Sequence, residues 1–181
     1  MKKTIVFLAV FLVLGASLVM SQPVSGKKFE LGTAFSFTSF KFSDSTDSDS
    51  VLSLPLRLGY FVWKGLEIEP EVMLMKFSGS EAAYHVSANL AYNFKVPGQV
   101  VPFVLGGVGV GNGFSAGPLV EGDTDVNAFL INAGGGIKYV IGKAGAIRVE
   151  YRFTSNRLSQ TGFPSETVSS HQIFIGVSLF F

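Results

Sequence analysis

Two motifs in this sequence have a composition and spacing that could bind a ligand. The run from Gly107 to Gly113 places a glycine at every second position, and glycine-rich loops can cradle phosphate groups. Neither a Lys-Ser/Thr pair nor a change from strand to helix follows it, so we predict no nucleotide site. Asp44, Asp47 and Asp49 could offer carboxylates to calcium, but segment 43–50 lacks the glycine and the closing glutamate of an EF-hand loop. We interpret it as a solvated acidic loop.

Histidine, the commonest general base, occurs only at His85 and His171. Ser169, Ser170 and Glu166 lie close to His171 in the sequence, so the three groups of a Ser/His/acid catalytic set are present. Adjacent side chains on a strand point to opposite faces, however, which argues against a hydrogen bond between Ser170 and His171. We therefore predict no catalytic residues and expect His171 to be an interface residue.

The composition excludes several further kinds of chemistry. The 181 residues contain no cysteine, which removes disulfides, thiolate metal sites, thiol catalysis and lipid attachment to an N-terminal cysteine. The formal net charge is +1, without a run of basic residues, so nucleic acid is not an expected partner. We predict no metal and no cofactor. Hydrophobic residues make up 48% of the chain, enough to exclude disorder, whereas only 15% are charged.

The first 26 residues have the order of an export signal. A basic start, Met1–Lys3, precedes the apolar run from Thr4 to Met20, and small or polar residues follow as far as Gly26. We predict a signal peptide over residues 1–26, cleaved after Ser21 or Gly26, and a single β-barrel domain over 27–181. An uncleaved N-terminal anchor helix is the alternative, since the apolar run is near the lower limit for spanning a bilayer.

Beyond residue 26 the hydrophobic pattern has a period of two, which is typical of β-strands. In segment 145–154, Ile147, Val149, Tyr151 and Phe153 alternate with charged residues. The pattern predicts eight strands at approximately 28–42, 51–62, 66–78, 83–96, 101–114, 127–141, 145–158 and 170–181.

Short and long connections alternate between these strands. Segments 63–65, 96–99 and 142–144 have the glycine and proline of tight turns, whereas 43–50, 114–126 and 160–169 are longer and polar, and 78–82 is intermediate. We therefore predict an all-β, eight-stranded antiparallel up-and-down barrel with both termini on the short-turn side.

The apolar face of this barrel is predicted to face lipid. Leu52, Leu54, Leu56 and Leu58 form a row without a charge, and the apolar total is too large for the core of a small soluble barrel. Transmembrane barrels place apolar residues outside and polar residues inside. They also carry aromatic girdles at both membrane interfaces. At the short-turn ends the expected interface aromatics are Tyr60, Phe61, Trp63, Tyr92, Phe94, Tyr139 and Phe181, and toward the long loops they are Phe35, Phe37, Phe77, Phe129 and Phe153.

The opposite face collects charged residues of both signs. An eight-stranded barrel has an interior that side chains just fill, and unpaired buried charges are costly. The residues therefore predict a plugged barrel, with glycines 107, 109, 111, 134 and 136 leaving room for large side chains. The predicted charge network of the lumen consists of Glu30, Arg57, Glu67, Glu69, Glu71, Lys138, Arg148, Glu150 and Arg152, with Lys95 also expected on this face.

The whole predicted mature chain resembles the small eight-stranded outer-membrane barrels of the OmpA/OmpX type. Its most specific part is the C-terminal segment, with a terminal aromatic and apolar residues at alternate positions: Ile173, Ile175, Val177, Leu179 and Phe181. The resemblance implies that the barrel assembly machinery reads this segment, and that the protein resides in the lipid of the cell outer membrane.

Members of that family differ in role, so the resemblance implies fold and location rather than one activity. We expect a non-enzymatic barrel that displays surface loops for envelope integrity or surface interaction, with no ligand specified. Two alternatives are a narrow pore for small solutes and a lipid A-modifying enzyme at the exterior rim.

Overall fold

The computed structural model describes residues 26–40, 49–77, 82–112, 127–159 and 165–181. The predicted signal peptide, apart from Gly26, lies outside the described residues, as do Asp44 and Asp47 of the acidic segment. No helix within these described ranges is long and apolar enough to cross a bilayer.

Eight antiparallel strands form a closed barrel in which each strand pairs with its neighbours in sequence and β8 pairs with β1. The all-β, up-and-down prediction is confirmed. The strands are β1 Phe29–Phe40, β2 Asp49–Trp63, β3 Leu66–Phe77, β4 Ala82–Asn93, β5 Val100–Asn112, β6 Asn127–Ile141, β7 Gly145–Ser159 and β8 Glu166–Phe180.

Two strand boundaries differ from the prediction by several residues. β4 ends at Asn93 rather than 96, before Pro97, which has no backbone N–H to donate, and Gly98, whose φ is 106°. β8 begins at Glu166 rather than 170 and pairs there with the end of β7. The polar composition of its start predicts a loop, but the hydrogen bonds of the ladder are made by the backbone and do not require apolar side chains.

The two ends of the barrel differ in their connections. We call the end with the three short turns and both barrel termini the turn end, and the opposite end the loop end. Gly65 in the first turn has a φ of 95°, in the left-handed region that glycine adopts without strain. A Cβ there would also overlap the carbonyl oxygen of Asn93, so the turn requires glycine.

The outer wall is apolar and the inner wall is largely polar. The leucines of β2 at positions 52, 54, 56 and 58 are 41–48% exposed, whereas Ser53 and Arg57 between them are buried. β4 alternates exposed and buried residues along its whole length. This inverted distribution suits a barrel whose solvent is lipid.

Charged and apolar layers alternate along the barrel axis. From the turn end, the inward residues of β3 are Glu67, Glu69 and Glu71, followed by Met73 and Met75. A second apolar cluster lies at the turn end, formed by Val140, Ala146 and Phe180 with Phe61 and Val101 packed against them. The charged layer is therefore enclosed between two apolar layers inside the barrel.

Candidate functional site

The candidate site is the charged layer of the lumen. The nine residues of the predicted network come from β1, β2, β3, β6 and β7, and each is at most 2% exposed. Period-two alternation places them all on the inner wall. We call these nine side chains the lumen network.

Two arginines of β7 connect opposite walls of the barrel. Arg148 donates two hydrogen bonds to Glu69, at 2.5 and 3.2 Å, and Arg152 donates two to Glu71, at 2.6 and 3.0 Å. Three strands separate β3 from β7 in both directions around the barrel. These two-pronged contacts therefore cross the full width of the lumen with the geometry that guanidinium and carboxylate groups favour.

Glu150 lies between these two arginines on the same strand. One carboxylate oxygen is 2.8 Å from Arg148 and the other is 2.6 Å from Arg152. Arg57 approaches from β2, with Nε donating to Glu71 at 2.7 Å and Nη1 3.4 Å from Glu150. Each guanidinium thus contacts at least two carboxylates, which makes this a network rather than a set of separate pairs.

Lys138 neutralises the part of the network nearest the turn end. Its ammonium lies 2.5 Å from Glu30 and 3.0 Å from Glu67, and Asn93 donates a further hydrogen bond to Glu67 at 2.9 Å. Carboxylate oxygens of Glu30, Glu67 and Glu69 also lie within 4.8 Å of one another, a spacing that could hold a cation. The ammonium of Lys138 already supplies a positive charge at two of these three carboxylates.

Phenylalanines fill the space around the cations. Arg148 lies over the ring of Phe103 at 4.4 Å, and Lys138 lies 5.4 Å from the same ring. The guanidinium carbons of Arg152 and Arg57 lie 5.3 Å and 5.7 Å from the ring centroid of Phe174. A cation over an aromatic face gains electrostatic attraction. This role was not predicted from the sequence, although Phe174 between Gln172, Gly176 and Ser178 on the inward face of β8 was a detectable signal.

Lys95 does not belong to the network. It lies two residues beyond the end of β4 and is exposed at the turn end, because the strand stops three residues earlier than expected. Among the described side chains, the buried charged layer therefore contains five carboxylates but four cationic groups.

The inward glycines lie where a Cβ would overlap the backbone of a neighbouring strand. Gly134 pairs with Arg152, and Gly136 pairs with Glu150 on one side and Phe103 on the other. A Cβ at Gly136 would overlap the carbonyl oxygen of Val149 before reaching the centre of the lumen. Glycine therefore serves close strand contact here, in addition to leaving space beside the large inward side chains.

Comparison with known proteins agrees with this architecture. The model of the family described as "Outer membrane protein beta-barrel domain" matches residues 8–181. The chain belongs to this family. Its members reside in the cell outer membrane, where lipid surrounds the outer wall. No curated protein matches the chain.

Three solved structures share the fold of this outer-membrane barrel. Neisserial surface protein A is 17% identical, with a TM-score of 0.63, and the match covers 87% of this chain and 98% of that one. The N-terminal β-barrel domain of Pseudomonas aeruginosa OprF is 18% identical, with a TM-score of 0.56 and coverage of 87% and 100%. OprG from the same organism is 14% identical, with a TM-score of 0.50 and coverage of 86% and 96%.

Aromatic side chains ring the outside of the barrel at its turn end. Each of the residues in this ring is at least 41% exposed on the outer wall, and they are Tyr60, Trp63, Tyr92, Phe94, Tyr139 and Phe181. Phe61 differs from its predicted position, because it turns inward and packs on Phe180 with ring centroids 6.5 Å apart. Toward the loop end, Phe35, Phe37 and Phe129 face outward, whereas the side chain of Phe77 lies outside the described part.

His171 contacts an aromatic pair on the outer wall. Its Nδ1 lies 2.6 Å from the hydroxyl of Tyr151, and its ring centroid lies 5.1 Å from that of Phe153. Ser170, the neighbouring residue, points to the other side of the strand, and the side chain of Glu166 lies outside the described set. The described part of the chain thus pairs this histidine with a tyrosine. His85 is buried on the inner wall.

The C-terminal strand closes the barrel. The five residues of the predicted assembly segment all face outward and are exposed: Ile173, Ile175, Val177, Leu179 and Phe181. The backbone of Phe181 exchanges two hydrogen bonds with Phe29, both at 3.0 Å. The segment therefore forms the seam between the last strand and the first.

Proposed function

We propose that this outer-membrane barrel is a closed, non-enzymatic scaffold that holds its loop-end connections at the cell surface. The observation that carries the proposal is the lumen network, in which Arg148 and Arg152 reach carboxylates on the opposite wall. Together with Phe103 and Phe174, these side chains occupy the cross-section through which a solute would pass. The role that remains for such a barrel is to anchor its longer connections for envelope integrity or surface contact.

Conductance in a planar lipid bilayer tests the closed lumen. Purified, folded protein should give no steady openings, while a general porin added to the same bilayer confirms that channels are detectable. Steady openings on the nanosiemens scale would contradict the proposal and support the alternative of a narrow pore.

The non-enzymatic part of the proposal is tested separately. Purified protein mixed with lipid A and phospholipid should neither release nor transfer acyl chains. The hydrogen bond between His171 and Tyr151 supports this expectation, since it occupies the Nδ1 of the only outward-facing histidine in the described residues. Acyl release that is lost in His171→Ala would establish a lipid-modifying enzyme instead.

We further propose export through the N-terminal signal and assembly through the C-terminal strand. The basic, apolar and small-residue order of residues 1–26 supports the signal, and the alternation in β8 supports recognition by the barrel assembly machinery. Intact mass measurement of protein purified from outer membranes should give a chain that starts at Gln22 or Lys27. A chain that still begins at Met1 would favour the anchor helix.

A further inference from the structure

Outside the lumen network, the acidic residues are confined to the loop end of the barrel, whereas basic residues occur at both ends. The side-chain charges at the turn end are all lysines: Lys27, Lys28, Lys64, Lys95 and Lys143. The chain has 13 acidic residues, and the eight outside the lumen network fall in the loop-end connections or at the strand positions beside them. In outer-membrane barrels the short turns face the periplasm. The periplasmic mouth is therefore strongly cationic.

A cavity of about 310 Å³ opens at this mouth. Its inner wall is apolar and is formed by Phe61, Val101, Val140 and Phe180, the residues that cap the lumen network. Lys138 lies at its base, with its ammonium bound to Glu30 and Glu67. The cavity therefore ends at the charged layer and does not continue through the barrel.

The rim of the cavity combines aromatic and cationic side chains. Trp63 and Phe94 line it, and so do Lys27, Lys64 and Lys95. Within the part of the chain that the structure describes, no carboxylate forms an ion pair with any of these three lysines. Three ammonium groups thus surround an apolar recess, and none of them is paired with a carboxylate of the described residues.

We propose that this recess binds a small amphipathic anion from the periplasm, of the class of a medium-chain alkyl carboxylate. The apolar part would enter between Phe61 and Val140, and the carboxylate would remain at the rim beside Lys64 and Lys95. The volume is at the lower end of the range for ligand pockets, about 300–1,000 Å³, so it suits one short chain and not a two-chain lipid. Such binding is a function beyond the scaffold role and leaves the lumen closed.

The position of the only tryptophan provides a direct assay. Trp63 lines the cavity and is 67% exposed, so its emission should respond to an occupant. The protein is reconstituted in nanodiscs of zwitterionic lipid at low ionic strength and titrated with octanoate. A saturable change in Trp63 emission is expected, with octyltrimethylammonium at equal concentration giving none, and binding should weaken as salt screens the lysines.

Two lysines outside the cavity provide a matched control. The double variant Lys64→Gln/Lys95→Gln should weaken octanoate binding at least tenfold, whereas Lys28→Gln/Lys143→Gln, which removes the same charge from the same end, should bind like the wild type. All four side chains are exposed, so both variants should retain the faster gel mobility of a folded barrel before boiling. Equal binding by both variants, or by the octyl cation, would overturn the proposal.

A series of carboxylates of increasing chain length distinguishes binding in the cavity from partitioning into the lipid. From hexanoate to dodecanoate, the affinity should increase with chain length until the alkyl chain fills the recess, and it should then remain constant. Partitioning into lipid would instead increase with every added methylene. A continuous increase through dodecanoate, identical in the Lys64→Gln/Lys95→Gln variant, would assign the signal to the lipid and refute the site.

Discussion

Each cationic side chain of the lumen network contacts more than one carboxylate, and this sharing determines how the barrel should respond to substitution. Burying an ion pair gains little over burying apolar residues of similar volume, because both ions lose hydration. Removing one partner is costly, because the other charge remains buried without compensation. The effect of a substitution should thus depend on how many partners it leaves unpaired.

Arg148 is the residue whose loss should destabilise the barrel most. Its guanidinium contacts Glu69 and Glu150 directly and lies 3.7 Å from Glu30. Arg148→Gln should lower the free energy of unfolding by about 3–5 kcal/mol, the usual cost of breaking a buried pair. Urea unfolding of the barrel in lipid vesicles measures this, with the exposed Lys143→Gln as the control.

The double variant Arg148→Gln/Glu69→Gln distinguishes charge from packing. It removes one partner of each sign, so part of the stability lost in Arg148→Gln should return. Single and double variants with equal unfolding midpoints, all matching the wild type, would show that the network contributes nothing to stability.

Glu67 should tolerate neutralisation better than Glu71. The nine residues of the lumen network comprise five carboxylates and four cationic groups. Glu67 shares Lys138 with Glu30, whereas Glu71 forms ion pairs with both Arg57 and Arg152. Glu67→Gln should therefore change the free energy of unfolding by less than about 1 kcal/mol, and Glu71→Gln should reduce it by about 3 kcal/mol or more. The same urea assay measures both, and the reverse order would contradict this account of the charge balance.

The positions of the network residues could be predicted from the sequence, but their partners could not. Alternation along β3 and β7 fixes which side chains face inward, and an eight-stranded barrel brings them together. The pairing of each arginine with a particular glutamate depends on the stagger between strands. A period-two pattern carries no information about that stagger. The error at Lys95 arises because alternation no longer assigns a face once a strand ends. Phe61 differs, because it lies an even number of residues from the inward Ser53 and Arg57, so the alternation of β2 itself predicts the inward position and not one in the aromatic girdle.

Among the strands, the close contact between β6 and β7 depends on glycine. Gly136→Ala should lower the free energy of unfolding by about 1–3 kcal/mol, the cost of overpacking, because its Cβ would overlap the backbone of Val149. Gly106→Ala on β5 is the matched control, since the nearest atom to its Cβ is the carbonyl oxygen of Asn132 at 3.7 Å. Equal free energies of unfolding for the two variants would show that β6 and β7 accommodate the added methyl group without loss of stability.

Among the described residues, the seam between β1 and β8 has fewer paired residues than each of the other seven strand pairings. It joins Glu30–Phe35 to Ile175–Phe180, and Phe181 extends it by stacking on Phe29 at 5.7 Å between ring centroids. Phe181→Ala should therefore reduce the amount of folded protein in the outer membrane, through both seam closure and recognition by the assembly machinery.

Quantification of folded protein in isolated outer membranes tests the role of Phe181. The control is Tyr139→Ala, which removes an outward aromatic residue of the turn-end ring from a strand distant from the seam. A similar decrease in folded protein for both variants would mean that the aromatic residues of the turn-end ring contribute equally to assembly. The terminal position of Phe181 would then have no special role.

At the scale of the whole molecule, an apolar exterior encloses a polar interior. This arrangement predicts a compact barrel that survives in detergent until it is heated, because detergent covers the outer wall without reaching the lumen network. On an SDS gel the unboiled protein should migrate faster than the boiled protein. A single mobility under both conditions, or recovery of the processed chain as a monomer with native β content in detergent-free buffer, would contradict a membrane barrel.

The two partners of each ion pair that crosses the lumen come from distant parts of the chain, and this constrains how the protein enters the membrane. Arg148 and Arg152 come late in the chain, whereas Glu69 and Glu71 come early and lie on the far wall. A partly formed sheet of only the first four strands would carry mainly carboxylates into the acyl phase, and a sheet of only the last four would carry mainly cationic groups. In either case most of the ions would lack their partners. Spanning the bilayer and sealing the cylinder should therefore be a single concerted event, and stepwise hairpin insertion should be energetically blocked.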